Sequence, residues 1–301
     1  MAEDLPQPAA GELIPAEALA HVPGYRGGDA LSVRRLPGGR VNRTYSIQTP
    51  TGKYVVRLTP GTDAWLAPER SVELELHGLA AGAGLAPRIV HADPGDRWLI
   101  TEFVPGPTWT DAHFARADCL ARLADTLRWL HGIEPPPRHG RFDLLEVLTR
   151  YAQRLQGTGR DAGIDPSQYV QEAAFAWQVS GGADRPQAVL HHDLHGSNLF
   201  DAERGLMLID WECAVVNDPL LDVACVLSYF EPARPHADVL LRHAGLGSVT
   251  EKQLAASVWL FDLHTWFWYR ERRMRLVPTA AEIEAEGRLA LAVESGLARI
   301  L

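Results

Sequence analysis

The sequence predicts an α+β fold in two lobes: a small N-terminal lobe rich in strands and a larger, mainly helical C-terminal lobe. Three observations lead there. Residues 31–58 and 87–103 carry short runs with strand character, punctuated by glycine and proline. VPGP at Val104–Pro107 then stops regular structure. Beyond that break, apolar residues recur at three- and four-residue spacings, as helices with one buried face require.

In chain order, LSVRRLP from Leu31 leads to Gly38 and Gly39. RTYSIQT, a PTG turn at Pro50–Gly52 and KYVVRLT follow, a hairpin under a glycine-containing loop. In its last run Tyr54, Val56 and Leu58 face one way, and Lys53, Val55 and Arg57 the other. Residues 68–79 read as a helix with Val72, Leu76 and Leu79 as its stripe. PRIVHA from Pro87 and RWLITEF from Arg97 read as strands. Leu120, Leu123, Leu127 and Leu130 mark a helix face, and EPPPRHG from Glu134 breaks it. Further helices are expected over about 144–155, 166–179, 219–229, 254–271 and 280–301. Between them lies an island of β character, within which LFDAERGLMLID reads as a hairpin. The expected division is a tail over 1–23, an N-lobe over 24–104, and a C-lobe over 105–301 that includes this hairpin.

Composition narrows the function classes. Hydrophobic residues are 46% and charged residues 22% of the 301, ordinary for a globular chain. A formal net charge of -9 disfavours a nucleic-acid partner and favours cationic small molecules. Cys119, Cys213 and Cys225 lack CxxC spacing, so they suit neither a disulfide framework nor a structural zinc site. The start MAEDLPQPAAGELIPAE does not read as a signal peptide, and VWLFDLHTWFW from Val258 is too short to cross a bilayer. A cytoplasmic monomer or homodimer with no membrane partner is expected.

The chemistry concentrates in VLHHDLHGSNLF, Val189–Phe200. Three histidines suggest a metal cluster, but in a strand His191 and Asp193 face one way and His192 the other. The second reading is stronger. Asp193 and Asn198 precede the hairpin, and Asp210 follows its return strand, so the three side chains converge. Two carboxylates and an amide are hard oxygen ligands, suited to magnesium and phosphates. Phosphoryl transfer needs such a set: one carboxylate takes the acceptor proton, and the other groups hold the metal.

HxDxxxxN at His191, Asp193 and Asn198, followed by an apolar strand and IDW with Asp210, resembles a known signature. It is that of the aminoglycoside phosphotransferase and choline kinase superfamily, small-molecule relatives of protein kinases. WECAVVNDPLLDVACVL is similar to the segment that follows there, and the resemblance covers about residues 31–269. It implies a bilobal protein kinase-like fold, ATP and Mg2+ as cofactors, Asp193 as catalytic base, and Asn198 and Asp210 as metal ligands. PGGRVNRTY places Gly38, Gly39 and Asn42 at the phosphates. Arg57 stands where protein kinases carry lysine, and with NRTY it leans toward the choline/ethanolamine and thiamine kinase group. Glu73 is its expected partner, with Glu69 and Glu75 as alternatives. TEFVPG implies that backbone near Glu102 and Val104 reads the adenine. His191 and Asp218 are expected to brace the loop, and Asp222 to anchor it. His131 reads as a satisfied helix-end residue, while His192 and His195 have no assigned role.

Trp259, Asp262, Trp266 and Tyr269 fall on one helix face and would suit a cationic acceptor, with Glu212 as a further candidate. The plainer alternative is that the tryptophans are core. The expected function is ATP-dependent phosphorylation of a hydroxyl on a small cationic metabolite. Alternatives are an antibiotic phosphotransferase, a nucleotide-binding pseudokinase or adaptor, and a zinc or manganese hydrolase built on the histidines.

Overall fold

The structure, a computed structural model, describes residues 14–27, 32–36, 42–59, 70–156 and 165–300. In chain order the first elements are α1 (Ala16–Leu19), β1 (Ser32–Arg35), β2 (Arg43–Thr49), β3 (Gly52–Leu58), α2 (Arg70–Gly82), β4 (Ile89–Ala92) and β5 (Trp98–Glu102). Then come α3 (Asp111–Phe114), α4 (Ala117–His131), α5 (Leu144–Gln156), α6 (Pro166–Ser180), β6 (Ala188–Leu190), β7 (Leu199–Ala202), β8 (Gly205–Leu208) and β9 (Val215–Asn217). The last are α7 (Leu220–Tyr229), α8 (Ala237–His243), α9 (Glu251–Arg275) and α10 (Ala280–Gly296). They form two compact units, Met1–Trp109 with Ser197–Cys213, and Thr110–Gly196 with Ala214–Leu301.

In the first unit, β1-β2-β3-β5-β4 make a five-stranded sheet in that order, antiparallel throughout. The alternation in β3 is the expected one. Tyr54, Val56 and Leu58 join Val33, Tyr45, Ile47, Trp98 and Ile100 in one core, which leaves Arg57 on the other face. Ile14, Ala18, Leu19 and Val22 belong to the same core. Residues 14–22 are thus part of the sheet's packing and not a tail, because α1 lays an apolar face on strands too few to bury themselves. The helix α2 also departs from expectation. It buries Glu73, Leu76, His77 and Ala80, a face rotated from the expected Val72–Leu76–Leu79 stripe. The rotation follows its polar bonds: His77 Nε2 lies 2.7 Å from Pro87 O, and Glu73 pairs with arginines.

The hairpin β7–β8 packs with this first unit, not with the helices that flank it in sequence. Leu208 N–H donates to Leu85 O (2.8 Å), and Trp109 N–H to Leu199 O (3.0 Å). The segment before Trp109 crosses β7 so closely that a Cβ on Gly106 (φ 133°) would lie 2.2 Å from Asp201 O. Only glycine fits there.

In the second unit, α5, α6, α9 and α10 enclose a core that includes Leu148, Trp259, Leu263 and Trp266. α9 carries the capping box expected of a helix start, Thr250 with Gln253. It buries residues around its whole circumference, from Trp259 and Phe261 to Asp262 and Leu263. β6 and β9 pair antiparallel, Leu190 opposite Val215. No helix among the described residues is long and apolar enough to cross a membrane.

Candidate active site

On β3 the pleat turns Arg57 away from the sheet core and toward α2. Its guanidinium donates from Nη2 to Glu73 and from Nη1 to Asp210 Oδ1 (2.9 Å). Glu212 Oε2 lies 3.8 Å from Nη1, and Asn42 donates to that same oxygen at 2.5 Å. Arg70 holds the other oxygen of Glu73 (2.6 Å). Burial opposes the Arg57 charge, but Glu73, Asp210 and Glu212 outweigh it and raise the pKa. Burial also opposes the charge of Glu73, yet Arg57 and Arg70 bring its pKa down. Glu212 is different. Burial first, then the neighbouring Asp210 carboxylate, push it up to about 7.

Asp210 reaches this cluster through the hairpin, which also sets it beside Asn198. The register pairs Leu199 with Leu208, and Ile209 N–H donates to Asn198 O (3.0 Å). Asp210 is therefore the next residue beyond Asn198's backbone partner. Its left-handed conformation (φ 66°) turns the chain out of the strand. A non-glycine residue there is strained, and such strain gathers at working sites. Among the described residues Glu73 pairs with Arg57 and Arg70, while Asp210 and Glu212 share Arg57. The Asp210 carboxylate and the Asn198 amide are hard oxygen donors, and Mg2+ takes one or two carboxylates plus phosphates. The residues present therefore fit the ion.

In the second unit, Asp193 follows a short stretch of backbone fixed by Asp222. His191 and His192 donate their N–H groups to Asp222 Oδ2 (3.2 Å) and Oδ1 (2.8 Å), and His131 Nε2 lies 2.9 Å from Oδ2. Burial opposes the Asp222 charge, but the His131 hydrogen bond and these amides hold its pKa down. His191 Nδ1 accepts from Asp193 N–H (3.3 Å). Tyr229 Oη donates to Asp193 Oδ1 (3.2 Å).

Residues 32–256 match the model of the phosphotransferase enzyme family. The chain belongs to that family. A thiamine kinase from Salmonella paratyphi B (strain ATCC BAA-1250 / SPB7) is 30% identical over 201 residues, 64% of this chain and 66% of that protein. The match thus spans 66% of the relative's length. A choline/ethanolamine kinase family protein from Mesorhizobium loti shares the fold at a TM-score of 0.72 and 24% identity, over 94% of this chain and 97% of that one. An ethanolamine kinase from Plasmodium vivax does so at 0.78 and 14%, over 92% and 86%. At those identities the likeness is one of fold, and it agrees with the α+β, protein kinase-like architecture expected from the sequence.

Other expected positions of this phosphotransferase-family chain are placed as follows. Gly38, Gly39 and Glu69 lie outside the described residues. Glu102 pairs with Arg88 (2.9 Å), and its N–H donates to Arg88 O. Val104 is buried. Asp218 holds Arg185 (2.8 and 2.7 Å) and the N–H of Leu220 (3.0 Å), so it anchors the start of α7 while Asp222 takes the loop amides.

The aromatic face expected on α9 is not assembled. Trp259 donates to Val293 O (2.8 Å), Trp266 packs edge-on to Tyr169, and Asp262 accepts from Ser228. A helix buried all round sends residues of one stripe to different neighbours, so both tryptophans are core. Burial lifts Asp262 to about 6 against the Ser228 bond.

The histidines diverge likewise. His191 faces the Asp193 amide, His192 lies among Phe142, Phe261 and His264, and His195 stacks on Tyr229. Among the described residues no group of three or more His, Cys, Asp or Glu is placed to hold a metal. Sequence reasoning missed Tyr229; it expected Asp222 to anchor the loop, and the structure adds His131 to the amides that Asp222 holds. A charged residue inside the apolar run LLDVACVL was the available signal for Asp222.

Proposed function

We propose that the chain is an ATP-dependent phosphotransferase acting on a hydroxyl of a small cationic metabolite of the choline, ethanolamine or thiamine type. The observation that carries this is the ion cluster on Arg57, into which the hairpin delivers Asp210 beside Asn198. Family membership supports transfer of a phosphoryl group. The thiamine kinase relative and the acidic net charge support a small cationic acceptor. Asn198 and Asp210 would hold Mg2+, which supplies charge neutralisation to the transferring group when bound. Asp193 accepts the proton of the acceptor hydroxyl as that oxygen attacks the γ-phosphorus in line. Arg57 sets positive charge toward the nucleotide phosphates, held by Glu73. Asp222 and His191 keep the Asp193 backbone in one conformation.

An ADP-release screen tests this, using Mg-ATP against choline, ethanolamine, thiamine, homoserine, sugars and aminoglycosides. Turnover is expected with a cationic hydroxyl compound and is lost on chelation of magnesium. Asp193→Asn should lower kcat by about 10³-fold while nucleotide binding holds within about twofold. Full turnover in that variant would refute the assignment of the base. Turnover confined to aminoglycosides would move the acceptor class to antibiotics.

A further inference from the structure

We infer that Tyr229 is a positioning residue for Asp193: its hydroxyl fixes one carboxylate oxygen, and its ring seats His195 beside the same oxygen. The inference rests on the reading of Asp193 as the base. Tyr229 ends α7, and its Oη donates to Asp193 Oδ1 at 3.2 Å. The His195 ring stacks on Tyr229 with centroids 4.0 Å apart and planes 13° from parallel. His195 Nε2 thereby lies 3.6 Å from Asp193 Oδ1, too long for a hydrogen bond but within reach of a charge.

The tyrosine ring is itself gripped. Phe261 meets it edge-on at 5.5 Å and Phe230 at 6.4 Å. The phenol therefore has little freedom, and its hydroxyl carries that rigidity to the carboxylate. His191 fixes the Asp193 amide from the other side, at 3.3 Å. A carboxylate tethered at its backbone and at one oxygen presents one geometry to an incoming hydroxyl. Preorganisation of this kind lowers the barrier without changing ground-state binding. The phenol neither gives nor takes the transferred proton, which passes from the acceptor hydroxyl to Asp193.

The test measures kcat and KM with Mg-ATP and thiamine, choline or ethanolamine, for wild type, Tyr229→Phe, Tyr229→Leu, Asp193→Glu and Asp193→Glu/Tyr229→Phe. Tyr229→Phe removes the hydroxyl but keeps the stack. It should lower kcat about tenfold, with both KM values within about twofold and the thermal midpoint unchanged. Tyr229→Leu also loses the stack, so kcat falls further and the acceptor KM rises. In the Asp193→Glu background the longer carboxylate no longer meets the hydroxyl, so Tyr229→Phe should change nothing. The inference fails if Tyr229→Phe keeps kcat within about twofold while Asp193→Asn is dead. It fails equally if the kcat loss persists in the Asp193→Glu background, or tracks a loss of folded protein. Full turnover in Asp193→Asn, or none by wild type with any acceptor, would sink the reading of the base and this inference with it.

Discussion

Arg57 shows how one side chain joins fold and chemistry. The period-2 rule already puts it opposite Tyr54, Val56 and Leu58, and the structure gives it Glu73, Asp210 and Glu212 on that face. A buried guanidinium among carboxylates is costly to delete, because the partners stay behind unpaired. Arg57→Met should cost about 3 kcal/mol, the lower end for a broken buried pair, since Arg70 still holds Glu73. Urea midpoints would read it, and a loss under about 1 kcal/mol would mean the cluster relaxes into solvent. Arg57 was legible in the sequence from strand alternation and from the family pattern, and Glu73 from the family spacing. His192 and His195 were not, since nothing local says that one enters an aromatic core and the other lies on a ring 34 residues further on, at Tyr229.

Among the elements, the β7–β8 hairpin decides the site. Its register brings Asp210 to Asn198, and its fixation depends on the strap that ends at Trp109. Gly106→Ala would set a Cβ against Asp201 O and hold a strained φ, so it should destabilise by about 2 kcal/mol or more. The variant should also weaken nucleotide binding; a wild-type urea midpoint would show that the strap shifts without cost. Helix spans were legible because their apolar spacing is local, and α5, α6 and α7 begin and end within about a residue of expectation. Which face a helix buries was less legible. α2 rotates to bury Glu73 and His77, and α9 is covered on every side. Periodicity assumes that polar residues face out, and buried ion pairs break that assumption.

At the scale of the whole molecule, acid stability reports on the second unit. Packing against Tyr151, Phe142, Phe261 and His192 lowers the His264 pKa to about 3, by desolvation first and then by His192. His192, beside Asp222, Asp193 and His191, is also lowered by burial. A histidine held neutral in the fold costs nothing above its unfolded pKa of about 6.5. Below that pH the unfolded chain takes up a proton that the folded one refuses, so stability falls as pH drops toward 3. His264 keeps a partly exposed edge, which screens the effect, so about 1 kcal/mol should go between about pH 6.5 and 5. Urea titrations of helical signal at the two pH values would measure it. His264→Phe should flatten the slope, and an unchanged slope would assign acid sensitivity elsewhere.

The sequence by itself determined the α+β class, the strands of the first sheet and the longer helices in their order, the turn of the β7–β8 hairpin and the spacing of Asp193, Asn198 and Asp210. Each of these is written in local periodicity, in turn residues or in a short motif. The tertiary structure decided which unit the hairpin packs with, that residues 14–22 close the sheet core, that His131 joins Asp222 under the loop, and that Tyr229 meets Asp193 from 36 residues away. Those are contacts between distant parts of the chain, made where a buried polar group must find a partner, and no local pattern encodes the partner's address.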